Sequence, residues 1–149
     1  MRAVIQRVTR ASVTVDSQCV SAVGLGLLVL LGVSKHDSQS DCDYVVQKIL
    51  GLRIFNDAEG KMNLSVQETG GAILVVSQFT LYGDARKGRR PGFDLAAAGT
   101  DAEHWYSQVV AGLRSSGLRV STGKFGEHMQ VELENDGPVT LLLDSGKAF

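Results

Sequence analysis

The chain predicts a single α/β domain, with mixed, mainly antiparallel sheets and two main helices packed on one side. Three observations lead there. Short segments with apolar residues at every second position recur along the chain, and two well-separated stretches carry apolar residues at helical spacing. No internal repeat, low-complexity tract or linker divides the 149 residues, so one domain spans 1–149. A domain of this length buries roughly 70% of its unfolded surface.

The elements follow in order. Arg2 to Val8 predicts a strand with Ala3, Ile5 and Arg7 on one face and Val4 and Val8 on the other. Ala11 to Asp16 alternates Val13 and Val15 with polar residues and predicts a second. Leu25 to Val33 is almost wholly apolar, as in a strand covered on both faces, although its low β-branched content also suits a buried helix. The first helix is expected from Gln39 to Leu52, with Val45, Ile49 and Leu52 on one stripe and Ser38 with Asp41 as a capping pair. Asn56 to Gly60 reads as a turn. Ala72 to Gln78 is a β-branched apolar strand, and Gly83 to Gly99 a loop. The second helix shows Thr100 with Glu103 as a capping box, Trp105, Val109 and Leu113 as its stripe, and Gly117 as its stop. Strands are expected at Leu118 to Thr122, His128 to Glu134 and Val139 to Asp144.

Composition excludes several classes of function. Residues are 44% hydrophobic and 21% charged, with a formal charge of −1, so the surface lacks the cations of a general nucleic-acid coat. Any RNA contact must be local, and Arg86-Lys87-Gly88-Arg89-Arg90 is the candidate, set against its reading as a solvated loop. Cys19 and Cys42 have no framework spacing, which suits a reducing compartment. The apolar run Val23 to Val33 is shorter than the ~20 residues of a membrane span and too far along for a signal peptide. A cytoplasmic address is expected, with no membrane partner. Gly24-Leu25-Gly26 lacks the third glycine of a dinucleotide fingerprint, and Gly60-Lys61 lacks the glycine and hydroxyl of a phosphate loop. His36, His104 and His128 are scattered without metal-ligand spacing, and His104, flanking a helical apolar stripe, reads as structural. No metal and no cofactor are expected.

Two short segments remain: Ser77-Gln78-Phe79-Thr80-Leu81 and Asn135-Asp136-Gly137-Pro138-Val139-Thr140. Neither holds a conventional dyad of acid and base. Both read as strand ends where backbone groups do the work. On spacing alone the second is a hairpin turn, because Asp-Gly between alternating apolar strands signals one. Thr80 is either a nucleophile without an evident base or a strand threonine bonded locally. Gln78 is either a substrate-positioning group or a surface amide.

These two segments, together with the opening Met1-Arg2-Ala3-Val4-Ile5-Gln6-Arg7-Val8, resemble the signature motifs of the D-aminoacyl-tRNA deacylase family, along nearly the whole chain. The resemblance implies a three-layer α/β/β domain and a homodimer that hydrolyses D-aminoacyl-tRNA, and mischarged glycyl-tRNA as well. It implies that Ser77, Gln78, Phe79 and Thr80 form the hydrolytic end. There backbone N–H groups around Phe79 and Thr80 hold the ester carbonyl, and the terminal adenosine's 2′-hydroxyl assists water. It implies that Gly137 and Pro138, joined by a cis bond, enter the opposite subunit's site and turn carbonyl oxygens toward the substrate α-carbon.

By the same resemblance Arg7 braces the Gly-Pro loop, and Met129 lines the terminal-adenine pocket; by pattern alone Met129 is a core strand residue. Arg86, Lys87, Arg89 and Arg90 would follow the backbone of the tRNA acceptor end, with no DNA partner expected. The chain departs from many relatives at Pro91-Gly92-Phe93, where they carry Pro-Ser-Phe, and after Ala98, where it lacks a common proline. Two other readings stay open: an RNA-binding module without chemistry, and a threonine hydrolase acting on another ester or amide.

Overall fold

The computed structural model describes residues 1–149. Its main sheet has six strands in the order β2-β1-β3-β6-β7, with β8 added to β1. The strands are β1 (Arg2–Val15), β2 (Gln18–Val23), β3 (Gly26–Gly32), β6 (Ala72–Ser77), β7 (Val120–Thr122) and β8 (Gln130–Asp144). β3, β6 and β7 are parallel, and β1 runs antiparallel to β2, β3 and β8. A two-stranded ribbon, β4 (Phe55–Asn56) with β5 (Met62–Leu64), lies outside this sheet. The Asn56–Gly60 turn joins its strands, with the Asp57 carboxylate accepting from the N–H groups of Glu59 and Lys61 at 2.9 and 3.0 Å.

β1 is one strand of 14 residues, not the two expected. Its first half pairs with β3 from Arg2 to Val8, and its second half pairs with β2 from Ala11 to Val15. Between them the register against β8 shifts twice, so the strand changes layer without ending. A tight turn at Asp16 and Ser17, both at positive φ (49° and 63°), returns the chain into β2. Sequence reasoning missed β2. Gln18, Cys19 and Val20 are exposed there, so no inward and outward alternation marks the segment. The Arg119 guanidinium donates to the Ala22 carbonyl at 3.1 Å, drawing β2 toward the β7 end so that the sheet nearly closes.

Two cores give the expected three layers. One lies between the helices and the sheet: Ile5, Leu27, Val29, Leu31, Ile73 and Val75 pack against Val45 and Ile49 of α1 (Gln39–Gly51) and Val109 and Leu113 of α3 (Gly99–Arg114). The other lies between that sheet's far face and the layer made by β2 and the second half of β1. It contains Val8, Val13, Leu28, Leu74 and Val76, with Val131 of β8 packed against it. Residues 26–32 of the apolar run are therefore a strand buried on both faces, which removes the helix alternative, and Leu25 stands exposed before it. Gly26, at φ +153°, is required where β3 begins, because a Cβ there would stand 1.8 Å from the Ala72 carbonyl oxygen.

α1 matches its expected span. The Asp41 carboxylate accepts from the Ser38 N–H at 2.9 Å and from its hydroxyl at 2.7 Å. α3 differs at its start: Ala98 is the N-cap, and no side chain caps it, so Thr100 and Glu103 form no capping box. The buried stripe of α3 is Tyr106, Val109, Val110 and Leu113, leaving Trp105 half-buried. A four-residue helix, α2 (Val66–Thr69), precedes β6 and was not expected. Ser65 and Glu68 do form a capping box at its start. No helix is long and apolar enough to cross a membrane.

The largest departure is at the C-terminal end. The segments expected as two strands around a hairpin are one strand, β8, and both halves pair with β1. The chain does not reverse at Asp136-Gly137. Gln6 faces Thr140 and Val8 faces Asn135, so Asp136 to Val139 stand opposite the single residue Arg7. The Gly-Pro pair sits in a bulge thrown out of a continuing strand.

Candidate functional site

A cavity of about 420 Å³ opens at the carboxyl ends of the parallel strands β3 and β6, where open α/β sheets commonly bind ligands. Leu31, Val33, Val76 and Ser77 form its strand wall, and Ala102 and Tyr106 of α3 its helix wall. Phe125, Gly126, Glu127, His128 and Met129, in the loop entering β8, supply the third side. The Tyr106 hydroxyl donates to the Val75 carbonyl at 2.9 Å, and its ring lies 5.6 Å from that of Phe125. Burial pushes that hydroxyl's pKa up to about 12, so it stays protonated and keeps donating.

Ser77, Gln78 and Phe79 all line this cavity. β6 ends at Ser77, and the Gln78 N–H makes a last ladder bond to the Leu31 carbonyl at 2.8 Å. The chain then tightens into a 3-10 turn, Phe79–Tyr82. The first N–H groups of such a turn have no partner of their own. No acceptor in the chain takes the N–H of Phe79 or Thr80. Two backbone donors are thus left free beside the cavity. The turn itself is anchored from behind: Arg2 donates to the Leu81 carbonyl at 3.0 Å while paired with Asp144 at 3.0 Å, its guanidinium 4.7 Å from the centre of the Tyr82 ring.

Thr80 follows the cavity wall, and its hydroxyl accepts a hydrogen bond from the Gln78 side-chain amide at 2.5 Å. No carboxylate or imidazole is bonded to it. Met129 lies on the cavity wall, and its sulfur accepts from the Lys124 N–H at 3.3 Å.

The basic loop joins the site at its root. The ring of Phe93 meets that of Phe79 edge-on at 5.0 Å, and mutual backbone bonds between Asp84 and Gly92 close the loop above them. Arg86, Lys87, Arg89 and Arg90 are all exposed. Arg86 is not a free cation: it donates from Nε and a terminal nitrogen to the Asp84 carboxylate at 2.9 and 2.7 Å. Those side-chain bonds, together with the Arg86 N–H, hold the Asp84 carboxyl well below the usual carboxylate range. Lys87, Arg89 and Arg90 have no acidic partner.

Arg7 and the second motif form a separate group. Arg7 is buried, and its Nε donates to the Asp136 carbonyl at 2.9 Å and pairs with the Asp136 carboxylate at 3.1 Å. A terminal nitrogen donates to the Ile54 carbonyl at 2.6 Å. The cation on the apolar face thus has the partners its position demanded. The Gly137–Pro138 bond is cis, and both residues are exposed.

They do not join the cavity of their own chain. The bulge is level with Arg7, opposite Leu27, whereas Ser77 is level with Leu31. Four residues of strand separate these levels, about 13 Å. Sequence reasoning did not single out Phe125, Glu127, His128 and Tyr106 as cavity residues. They come from an irregular loop and a helix stripe, and only the fold brings them together.

A family model described as D-Tyr-tRNA(Tyr) deacylase matches residues 4–144. Proteins named D-aminoacyl-tRNA deacylase from Symbiobacterium thermophilum and Anaeromyxobacter dehalogenans are 59% and 60% identical over 149 residues, covering all of this chain and 99% and 100% of theirs. A solved structure described as c-Myc DNA Unwinding Element Binding Protein superposes with a TM-score of 0.91 at 47% identity, over 97% of this chain and 98% of that one. Another, described as a probable eukaryotic D-amino acid tRNA deacylase, shares the fold with a TM-score of 0.81 at 22% identity, over 95% and 97% of the two chains.

Proposed function

The chain belongs to the D-aminoacyl-tRNA deacylase family and is an ester hydrolase acting on D-aminoacyl-tRNA; from that premise we propose how its own residues divide the work. The ester joining a D-amino acid to the terminal adenosine lies with its carbonyl oxygen on the N–H groups of Phe79 and Thr80. The two unpaired donors at the start of the 3-10 turn carry this reading. Each donor aimed at the developing oxyanion contributes ~3–4 kcal/mol to the rate. Water adds to the carbonyl carbon, assisted by the adenosine 2′-hydroxyl, and the C–O bond breaks to leave free tRNA and the D-amino acid. Ser77 shapes the strand wall and Gln78 orients the substrate. The adenine enters the cavity beside Met129, whose half-buried thioether provides an apolar wall.

Stereochemistry is read by backbone. Rigid carbonyl oxygens of Gly137 and Pro138, lent by a second copy, press against the α-carbon. An L side chain collides with them, a D side chain points to solvent, and glycine offends neither, so glycyl-tRNA is also a substrate. A thousandfold preference requires only ~4 kcal/mol. Two observations support a homodimer. Gly137 and Pro138 are exposed and lie away from their own cavity. The adjoining outer face carries Leu142, 63% exposed, with Val4 and Leu30 beside it across β1 and β3. Lys87, Arg89 and Arg90, rooted through Phe93 on Phe79, follow phosphates of the acceptor end, and Arg86 shapes their loop through Asp84.

Hydrolysis of D-tyrosyl-tRNA and L-tyrosyl-tRNA at equal enzyme tests the chiral reading. Fast loss of the D-ester and persistence of the L-ester are expected. Equal rates on the two would reject it.

A further inference from the structure

The bulge in β8 leaves backbone groups that its neighbour cannot pair, because four residues, Asp136 to Val139, face only Arg7. A backbone amide or carbonyl withdrawn from water is costly unless it is paired, and Val139 is half-buried. One side chain meets both groups of Val139. The Asn135 carboxamide oxygen accepts from the Val139 N–H at 2.7 Å, and its nitrogen donates to the Val139 carbonyl at 3.0 Å. The same nitrogen reaches the Thr140 hydroxyl at 3.2 Å, which also accepts from the Gln6 amide at 3.2 Å. Asn135 therefore does for Val139 what a facing strand residue would do in an unbroken ladder. Only a short amide has donor and acceptor on one planar group at this reach: an ionised aspartate accepts without donating.

Arg7 fixes the near side of the loop at Asp136, and Asn135 fixes the far side at Val139. Gly137 and Pro138 stand exposed between these two anchors. We infer that Asn135 is a positioning residue: its amide holds the Gly137–Pro138 peptide at a fixed reach and so sets the margin between D- and L-aminoacyl esters. This rests on the chiral reading above. Asn135 touches no substrate, and the N–H groups of Phe79 and Thr80 sit on a different element. Loosening the loop should therefore admit L-esters without disabling the hydrolytic end.

The test compares hydrolysis of D- and L-tyrosyl-tRNA by the full-length protein carrying Asn135→Ala or Asn135→Asp, with Pro138→Ala as the parallel variant. Losing both bonds to Val139 is expected to lower the D-to-L ratio about tenfold or more, mainly by raising the L rate, while kcat/KM for the D-ester stays within about threefold. Asn135→Asp keeps the acceptor, loses the donor, and should fall between; it also serves if the alanine variant does not fold. An unchanged ratio in a folded Asn135 variant, or proportional loss of both rates, overturns the inference. If Pro138→Ala lowers the ratio while Asn135→Ala does not, only the role of Asn135 fails. If neither changes it, the chiral reading fails as well.

Discussion

Thr80 carries the only hydroxyl in the 79–82 turn apart from Tyr82, and its recorded bond is an acceptance from Gln78. A nucleophilic threonine needs the opposite arrangement, a base accepting its proton. Thr80→Ala keeps the backbone N–H while removing the hydroxyl. Substantial hydrolysis of D-tyrosyl-tRNA is expected to survive, and a substrate ending in 2′-deoxyadenosine should react far more slowly with the wild-type protein. Abolished turnover in folded Thr80→Ala that still binds tRNA would restore the nucleophile. At this scale the sequence disclosed much: Arg7 is legible as an oddity, a cation on a face with Ala3 and Ile5, and its buried partners answer that oddity. Asp84 and Asn135 were opaque, because a carboxylate two residues from an arginine, or an amide four from a valine, gives no sign of which bonds it will close.

Elements were legible wherever burial is heavy, on one face or on both. α1 and the strands at 26–32 and 72–77 lie within a residue or two of their expected ends, since both cores write a strong apolar pattern. β2 left no such pattern, and β8 was misread because turn chemistry at Asp136-Gly137 says that the backbone leaves the ladder, not whether it comes back on the same partner. That is decided by β1, some 130 residues away. The α3 capping box failed because the helix starts at Gly99 with Ala98 as its N-cap, which leaves Thr100 at the second helical position, too far in to cap it.

The contact of α3 with β6 has a consequence for alkaline stability. Burial raises the Tyr106 hydroxyl to about 12 from the usual tyrosine value. The native state therefore holds a proton that the unfolded chain releases near pH 10. Stability from this group is complete below about pH 10 and is lost as pH rises toward 12, by roughly 3 kcal/mol over the two units. Tyr106→Phe should cost about 1 kcal/mol at neutral pH, through the lost bond to Val75, yet flatten the decline above pH 10. Urea unfolding at several pH values checks both signs. Parallel declines in the two proteins would mean that Tyr106 does not carry this dependence.

For the whole molecule, the question is whether one chain suffices for a selective site. Within one chain the cavity and the Gly-Pro bulge lie at opposite ends of β3, so the proposed chemistry needs a second copy arranged about a twofold axis. Two individually defective chains can decide this. Ala102→Trp fills the cavity from α3. Gly137→Ala turns the bulge into an obstruction: φ there is +144°, and a Cβ, which would come within 2.7 Å of the Val139 nitrogen, displaces the loop and crowds the α-carbon position against D-esters as well as L-esters. Each homodimer is expected to be nearly inactive on D-tyrosyl-tRNA. In a heterodimer isolated with two different tags, the intact cavity of one chain meets the intact bulge of the other at one site of the two. About half the wild-type rate per dimer should return. If the bulge served its own chain, both sites would remain defective and no activity would return.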